Sequence, residues 1–435
     1  MATITIKNVG PIKEIINLEF NKVNVFMGPQ SSGKSTIAKI ISYCTWVEKD
    51  VATSQSLKTY QENKTYFKEH LESFHKIRGY FRADSYILYK SEVVEIKWEN
   101  EKSSLNWVDQ YAYKRSKIAY IPSERNMVIL PDARKVEFGH SNIRSFLFEW
   151  FDARKKYTKE DSLPLLELGV NYYFADSNIY EEDRIFGEND GIEYDIALPN
   201  ASSGLQSITP LIAMIDYLTY WIYAEDKKSF EQEERQRKVG NHIFDEMVLK
   251  PFFKINSIPT YEKNEKIREF HEIIKESNLE AKKLLSNCIK LQKNLFITQN
   301  SQFIIEEPEQ NLFPETQRDL TYHFLEKCLI KEGNRLTITT HSPYILYALN
   351  NCMMGYLIKD NMPEEEQEEL LSKKAWINPE FVSVWEIEQG KGTIRPIKNS
   401  ETGTISKHYF NRIMNDVMEE YHEMLTRLKV NKHEK

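Results

Sequence analysis

The stretch that decides the fold reads Gly28-Pro29-Gln30-Ser31-Ser32-Gly33-Lys34-Ser35-Thr36. It fits the pattern G-x-x-x-x-G-K-[ST] at every fixed position, and its glycines allow successive backbone N–H groups to turn inward around a phosphate. An apolar run at residues 23–27 precedes it, and apolar residues at helical spacing follow it. Strand, glycine loop and helix are the context that a phosphate-binding loop requires. We therefore predict a nucleotide site over residues 28–36, where Lys34 contacts the β- and γ-phosphates and Ser35 ligates Mg²⁺.

Two further groups of candidate residues follow apolar strands late in the chain. Residues 303–305 lead into Glu306 and Glu307, and residues 336–340 lead into His341. Beside a phosphate loop, Glu306 is expected to hold Mg²⁺ directly or through water, and Glu307 to orient and deprotonate the attacking water. His341 is expected to hydrogen-bond the γ-phosphate. Taken alone, an acidic strand end or a single histidine is more often structural, and that alternative stays open here.

A third candidate lies between these groups, where a small Ser/Gly loop precedes an apolar helix. The loop reads Ala201-Ser202-Ser203-Gly204-Leu205-Gln206. Such a loop exposes backbone donors to an anion at a helix N-terminus, although by itself it is more often a simple helix cap. Its position between the phosphate loop and the acidic strand end is what makes it a candidate anion site.

The composition is that of a folded protein, and the chain is longer than one ordinary domain. The 435 residues include 41% hydrophobic and 28% charged residues, and the net charge of -7 does not indicate a nucleic-acid binder. The four cysteines are scattered without a CxxC pair, which argues against a disulfide scaffold and a zinc module. The most apolar stretch, residues 211–224, is broken by Asp216 and falls short of the roughly 20 residues of a membrane span. With no secretory signal either, we expect a cytoplasmic protein without a membrane partner.

Together these motifs resemble the ATP-binding-cassette (ABC) ATPases of the SMC, RecF and OLD group. Residues 28–36 match the Walker A loop, and residues 201–206 look like the signature loop, with Ser202 at the signature serine. Residues 305–314 resemble Walker B followed by the D-loop, and residues 339–343 resemble the switch-histidine segment. The resemblance implies an α/β fold, an ABC-type P-loop head whose mixed sheet is flanked by helices, with a helical or short coiled-coil insertion.

The sequence departs from the family pattern at four places, the first of which is Ser203, where many members carry glycine. Glu306 stands where the family has aspartate, which keeps a carboxylate for the metal, and Phe313 replaces the usual D-loop histidine. Residues 120–126 sit where the family has its Q-loop, yet they contain no glutamine.

In this family two heads sandwich two ATP molecules. The resemblance therefore implies that four signature-loop residues contact the partner's nucleotide in trans: Ser202, Ser203, Gly204 and Gln206. It also implies that ATP and Mg²⁺ close the dimer, and that Glu307, with Lys34 and His341, allows hydrolysis. The expected enzyme is an ATPase that converts ATP and water to ADP and phosphate, working as a head-to-head dimer or a higher homo-oligomer.

The head is expected to be assembled from three separated pieces of chain. These are residues 1–48 with Walker A, 117–224 with the Q-loop region and signature loop, and 297–352 with Walker B, D-loop and switch histidine. Residues 49–116 form an insertion and residues 353–435 a C-terminal α/β extension. Residues 225–296 form either a helical hairpin on the body or a short projecting arm, because apolar residues recur there at three-four spacing.

The motif style resembles the compact ATPase subunits of two-gene phage-defence systems such as PARIS and Septu. After His341 the sequence has no D-x-D cluster of a Toprim nuclease, and the acidic run at residues 364–369 is typical of a solvated helix. Any nuclease or toxin activity would then reside on a separate effector protein, with a phage protein as the trigger.

Two alternatives remain open. A RecF- or SMC-like DNA-repair clamp would bind duplex DNA through basic clusters such as residues 154–156 and 235–238, although such clusters are usually solvated surface. A slow or inactive ATPase would act purely as a scaffold.

Overall fold

The computed structural model describes residues 2–130, 133, 139–176, 181–189, 191–223, 230–406 and 408–433, and the expected domain boundary at residues 224 and 225 lies outside them. Strands are numbered in chain order: β1 Thr3–Val9, β2 Ile12–Glu19, β3 Val23–Met27, β4 Phe81–Lys90, β5 Val94–Glu99, β6 Lys102–Trp107, β7 Ser116–Ile121, β8 Leu163–Pro164, β9 Val170–Asp176, β10 Glu181–Asn189, β11 Ile192–Ala197, β12 Asn300–Glu306, β13 Arg335–Thr340, β14 Val382–Glu388 and β15 Thr393–Pro396.

The α-helices are numbered in the same way: α1 Lys34–Ser54, α2 Lys58–Glu62, α3 Tyr66–Phe74, α4 Asn142–Ala153, α5 Ser203–Tyr220, α6 Phe230–Phe244, α7 Lys250–Phe253, α8 Thr260–Lys275, α9 Leu279–Phe296, α10 Pro314–Cys328, α11 Pro343–Ile358, α12 Glu364–Glu368 and α13 Tyr409–His433. No helix in the described ranges combines the length and the apolar character needed to cross a membrane.

A six-stranded sheet forms the centre of the molecule, in the order β15-β14-β3-β13-β12-β7. Five of its strands are parallel, and β15 closes one edge antiparallel to β14. The strands β3, β13 and β12 are adjacent, so their carboxyl ends lie side by side, with Met27 opposite Thr340 and Thr339 opposite Glu306. The carboxyl edge of a parallel sheet is where ligands bind in open α/β folds.

Helices cover both faces of this sheet because successive residues of each buried strand point to opposite sides. In β3, Val25 belongs to a core shared with α5, α10 and α11, whereas Phe26 belongs to a core shared with α1. This mixed sheet flanked by helices confirms the predicted α/β fold class and is the arrangement expected of an ABC-type P-loop head.

A second, antiparallel sheet packs on the far side of α1, in the order β2-β1-β4-β5-β6. Residues 49–116, expected to be an insertion, supply its strands β4, β5 and β6, and β4 pairs directly with β1. The insertion is thus joined to the first strands of the chain by backbone hydrogen bonds.

A third sheet, β11-β10-β9-β8, is formed by strands between residues 163 and 197. Arg154 is buried beside it and forms ion pairs of 3.0 Å with both Asp183 and Glu181. Arg154, the first residue of the basic cluster at residues 154–156, therefore forms internal ion pairs and is not part of an exposed surface for DNA.

The helices of residues 230–296 pack on the head. Phe270, Cys288 and Leu295 are buried in the same core as α1, which answers the question of hairpin or projecting arm in favour of packing. The apolar residues at three-four spacing belong to two helices, α8 and α9, rather than to one. The chain turns between them at Ser277, which adopts a φ of 65°, and the Asn278 side chain accepts a hydrogen bond from Ala281 N at the start of α9.

Candidate nucleotide-binding and hydrolysis site

The phosphate loop connects β3, which is buried along its whole length, to the N-terminus of α1. Gly33 is the N-cap of α1 with a φ of 108°, a conformation that a residue with a Cβ rarely adopts. A Cβ at Gly28 would come within 3.1 Å of the Ile387 carbonyl oxygen. Gly33 thus has a backbone conformation, and Gly28 a close neighbour, that disfavour a side chain at either position.

The other loop residues present polar groups around this turn. Gln30 and Ser31 are exposed, Ser32 Oγ is buried without a hydrogen-bond partner, and Thr36 is buried behind the loop. An unpartnered buried hydroxyl in a phosphate loop is an available donor for an anion.

The Lys34 ammonium group lies inside the loop and uses all three of its protons. It donates to the carbonyl oxygens of Gly28 and Pro29, each at 2.8 Å, and contacts His341 Nδ1 at 3.3 Å. Burial lowers the pKa of the Lys34 ammonium to about 8, against the attraction of Glu307 and Glu309. The charge is thus held in a poorly solvated position, where an additional anion would be bound strongly.

Glu307 and His341 form a hydrogen-bonded pair across the ends of β12 and β13. His341 Nε2 lies 3.0 Å from Glu307 Oε1, and Gln310 Nε2 donates to Glu307 Oε2 at 2.9 Å. Because the Lys34 ammonium has no lone pair, His341 Nδ1 must accept, and the ring proton is then on Nε2, directed at Glu307. The hydrogen bond from His341 lowers the pKa of the Glu307 carboxyl to about 2.

The Glu307 backbone is held in an unusual conformation. Its φ is 44°, in the left-handed region, and its N–H donates to the Thr339 carbonyl oxygen at 2.8 Å. A non-glycine residue held in this region is strained, and such strain occurs most often at functional sites. The strain turns the Glu307 side chain toward His341 and the phosphate loop.

Glu306 is the candidate metal ligand. Its side chain is buried, and Oε1 has no hydrogen-bond partner. Burial raises the pKa of the Glu306 carboxyl, against the opposing effects of Lys39 and of the Tyr120 and Ser35 side chains beside it. A buried carboxylate with an unpartnered oxygen next to the Ser35 hydroxyl suits a hard divalent cation, which prefers oxygen ligands. The residues therefore fit the predicted Mg²⁺.

The sequence did not single out Glu309. Its Oε1 accepts a hydrogen bond from the His341 backbone N–H, while its Oε2 is buried without a partner. Burial raises the pKa of this carboxyl as well. Glu309 thus fixes the position of the switch histidine through the main chain, a role for which the second acid of the Glu-Pro-Glu run was the only signal.

Arg125, in the segment that lacks a glutamine, is the second residue that sequence reasoning missed. Its fully buried guanidinium donates to the carbonyl oxygens of Glu306 and Glu307 at 3.0 Å and of Pro308 at 3.3 Å. It also contacts the carbonyl oxygen and hydroxyl of Ser207, in the first turns of α5, at 3.3 and 3.2 Å. One side chain therefore joins the Walker B end of β12 to the signature helix.

The signature loop begins α5 but does not join this cluster of side chains. Ser202 caps the helix by accepting from Leu205 N, and both Ser202 and Ser203 are exposed. Gln206 donates to the Pro199 and Ala201 carbonyl oxygens within its own loop. Gly204 lies against the D-loop, since a Cβ there would stand 3.0 Å from the Asn311 carbonyl oxygen.

The structure thus brings Lys34, Ser35, Glu306, Glu307 and His341 to one edge of the central sheet. The signature residues occupy a neighbouring exposed surface beside the D-loop. Among the described residues, no group of three or more His, Cys, Asp or Glu side chains is arranged to hold a metal ion.

Comparison with known proteins identifies no family. No family model matches the sequence, and no curated protein matches it. Among solved structures, the chain is similar to one described as the recombination mediator protein RecF-ATPrS in the RecFOR pathway, with 10% identity over 91% of this chain and 97% of that chain. The TM-score of 0.29 is too low to carry an argument, so the head fold rests on the strand order and on the phosphate loop.

Proposed function

We propose that the protein binds and hydrolyses ATP, and that ATP closes two heads against each other. The observation that carries this proposal is the meeting of Lys34, Glu307 and His341 at the carboxyl edge of the central sheet, beside a glycine loop at a helix N-terminus. A cation for phosphate, a carboxylate for water and a histidine between them are the groups that phosphoryl transfer to water requires.

Binding of ATP would exchange the partners of Lys34. Its three protons are directed at two carbonyl oxygens and a ring nitrogen, which are neutral acceptors. Phosphate oxygens carry charge and form stronger hydrogen bonds with an ammonium group. The N-terminus of α1 adds backbone donors and the positive end of its dipole.

Ser35 and Glu306 would hold Mg²⁺ when the nucleotide is present. The cation supplies positive charge to the phosphate oxygens in the transition state. On the protein side, a nearby positive charge would keep the buried Glu306 carboxyl ionised despite its raised pKa.

Glu307 is the proposed general base. The water oxygen forms a bond to the γ-phosphorus, its proton passes to the Glu307 carboxylate, and the bond to the bridging oxygen breaks to leave ADP. With a pKa of about 2, the carboxylate is a weak base while His341 donates to it. If His341 turns to the γ-phosphate, that hydrogen bond is lost and the pKa of Glu307 rises, so the base becomes stronger once ATP is bound.

The proposed dimer surface is the exposed edge formed by the signature loop and the D-loop. Ser202 and Ser203 are free to contact a nucleotide on another chain, and Phe313 at the start of α10 is 80% exposed. A large exposed aromatic beside a polar loop is typical of a surface that meets a partner. This supports action of the signature residues in trans.

The biochemical test compares Lys34→Ala with Glu307→Gln. Lys34→Ala is expected to abolish ATP binding, measured by equilibrium dialysis. Glu307→Gln is expected to bind ATP, to accumulate as a dimer in light scattering and to lose turnover by ~100-fold. Lys290→Ala and Glu280→Gln, at exposed positions of α9, are matched controls and should resemble the wild type. Unchanged turnover in Glu307→Gln would refute its role as the base.

We further propose that head closure controls a separate nuclease or toxin effector in defence against phage. The support is the motif style alone. Native mass spectrometry of Glu307→Gln, purified with ATP and Mg²⁺ from its own operon and host, tests it. A bound second polypeptide with nuclease or toxin features is the expected result, whereas bound DNA without a protein partner would favour the DNA-repair clamp.

A further inference from the structure

The last helix, α13, projects from the body of the protein. His408 is buried, and Tyr409 and Phe410 pack on the core, which anchors the start of the helix. From Arg412 to Leu428 every residue except Leu425 is exposed. The anchored base and exposed length describe a helix that extends away from the head over about 25 Å, at a rise of 1.5 Å per residue.

An apolar stripe runs along this exposed helix. Its members are 53–59% exposed: Met414, Val417, Tyr421, Met424 and Leu428. Their spacing alternates between three and four residues, which is the a/d pattern of a coiled coil, with Met414, Tyr421 and Leu428 at a positions. A contiguous apolar face of this size on an otherwise polar helix indicates a surface that is covered by a partner.

We propose that a second copy of this chain covers the stripe, with the two α13 helices paired antiparallel. The charges beside the stripe favour this occupant. Glu420 and Arg427 both stand at g positions, one heptad apart. Antiparallel coiled coils set g against g′, so Glu420 of each copy would lie beside Arg427 of the other, twice per dimer.

The same register aligns the apolar residues. With a opposite d′, Tyr421 of one copy meets Met424 of the other, and Val417 meets Leu428. A parallel pair would instead set g against e′, placing Glu420 beside Leu425 and losing both opposite-charge contacts. The sequence of α13 is therefore complementary to itself in the antiparallel direction.

This pairing does not depend on nucleotide, since Lys34, Glu307 and the signature loop lie on other elements. It therefore stands or falls separately from the ATP-driven closure of the heads. Where both contacts form, α13 would keep two chains together while the heads open and close.

The first experiment is sedimentation velocity of the full chain without nucleotide. The wild type is expected to be a dimer at micromolar concentration, and Val417→Asp with Met424→Asp to be a monomer. Asn415→Asp, on the polar side of the helix, is the matched control and should remain a dimer. A monomeric wild type, which is also the result expected if a different protein covers the stripe, would overturn the proposal.

Charge exchange tests the specific pairing. Glu420→Arg alone and Arg427→Glu alone should each weaken the dimer by roughly tenfold or more, because both contacts become repulsive. The double variant Glu420→Arg/Arg427→Glu should return the dissociation constant to within about threefold of the wild type. Failure of the double variant to recover would exclude this register.

Disulfide trapping tests the direction. A mixture of Tyr421→Cys and Met424→Cys chains should form cross-linked heterodimers, while Tyr421→Cys chains alone should not. All four native cysteines are buried and free, which keeps the background low. Efficient cross-linking of Tyr421→Cys to itself would show a parallel pair and refute the proposed geometry.

Discussion

Replacing Arg125 with lysine should destabilise the protein severely, although the charge is kept. The guanidinium lies within hydrogen-bond distance of five acceptor atoms: the carbonyl oxygens of residues 306–308, and two atoms of Ser207. Lysine has three protons on one nitrogen, so at least two of these acceptors lose their partner. Each buried polar group left unpaired costs ~1–3 kcal/mol, which gives a loss of about 2–6 kcal/mol.

The magnitude is large because total stabilities are only ~5–15 kcal/mol. Urea unfolding followed by tryptophan fluorescence would measure the change in the free energy of unfolding. Arg144→Lys is the matched control: Arg144 is exposed on α4, with its guanidinium over the Phe148 ring, and the change should stay within ~0.5 kcal/mol. The reasoning is refuted if Arg125→Lys also stays within ~0.5 kcal/mol of the wild type.

Three further predictions concern the nucleotide site. ATP affinity should fall by up to ~10-fold per pH unit as the pH rises above about 8, because the Lys34 ammonium then loses its proton. Fluorescent-nucleotide titration would measure this fall, and an affinity that stays constant from pH 7 to 9 would contradict the prediction. His341→Ala should raise the pKa of Glu307 toward its usual value by removing the hydrogen bond that lowers it, which a carboxyl-carbon NMR titration would detect; a pKa still near 2 would assign the effect elsewhere. Gly204→Ala should weaken ATP-dependent dimerisation, measured by light scattering, because the added Cβ displaces Asn311, while ATP binding by the single head is unchanged. Gly240→Ala is the control, since the nearest atom to its added Cβ would be 3.7 Å away.

The strands that frame the site could be predicted from the sequence because their signals are local. The apolar runs before the phosphate loop, Glu306 and His341 became β3, β12 and β13. Parallel strands buried on both faces give continuous apolar runs, and residues that end such strands are found at the sheet's carboxyl edge. The meeting of Lys34, Glu307 and His341 follows from those two facts.

The roles of Arg125 and Glu309 could not be predicted in the same way. Arg125 acts through main-chain carbonyl groups, which every residue possesses and which no pattern of side chains records. Its partners are remote in sequence, and only the fold brings them together. The third sheet has a weak strand signal for a related reason: its strand β10 is rich in charged residues, and Asp183 is paired with buried Arg154.

For the terminal helix, the sequence predicts the element but does not determine whether the helix packs on the head. An α/β extension was expected over residues 353–435, and α13 is its last helix, beginning at Tyr409. The same apolar residues would suit a helix buried on the head, and only their exposure separates the two arrangements.

The neighbours of β3 have a consequence for how the chain matures during synthesis. This strand, which leads into the phosphate loop, pairs with β13 on one side and with β14 on the other, and Ile387 of β14 closes against Gly28. Both neighbours are translated long after it, so β13 can pair with β3 only once residue 340 has left the ribosome, and β14 only once residue 388 has. Until then β3 offers unpaired edges, a state that favours aggregation of the nascent chain. The ability to bind a nucleotide is therefore acquired late, as one of the final events of folding.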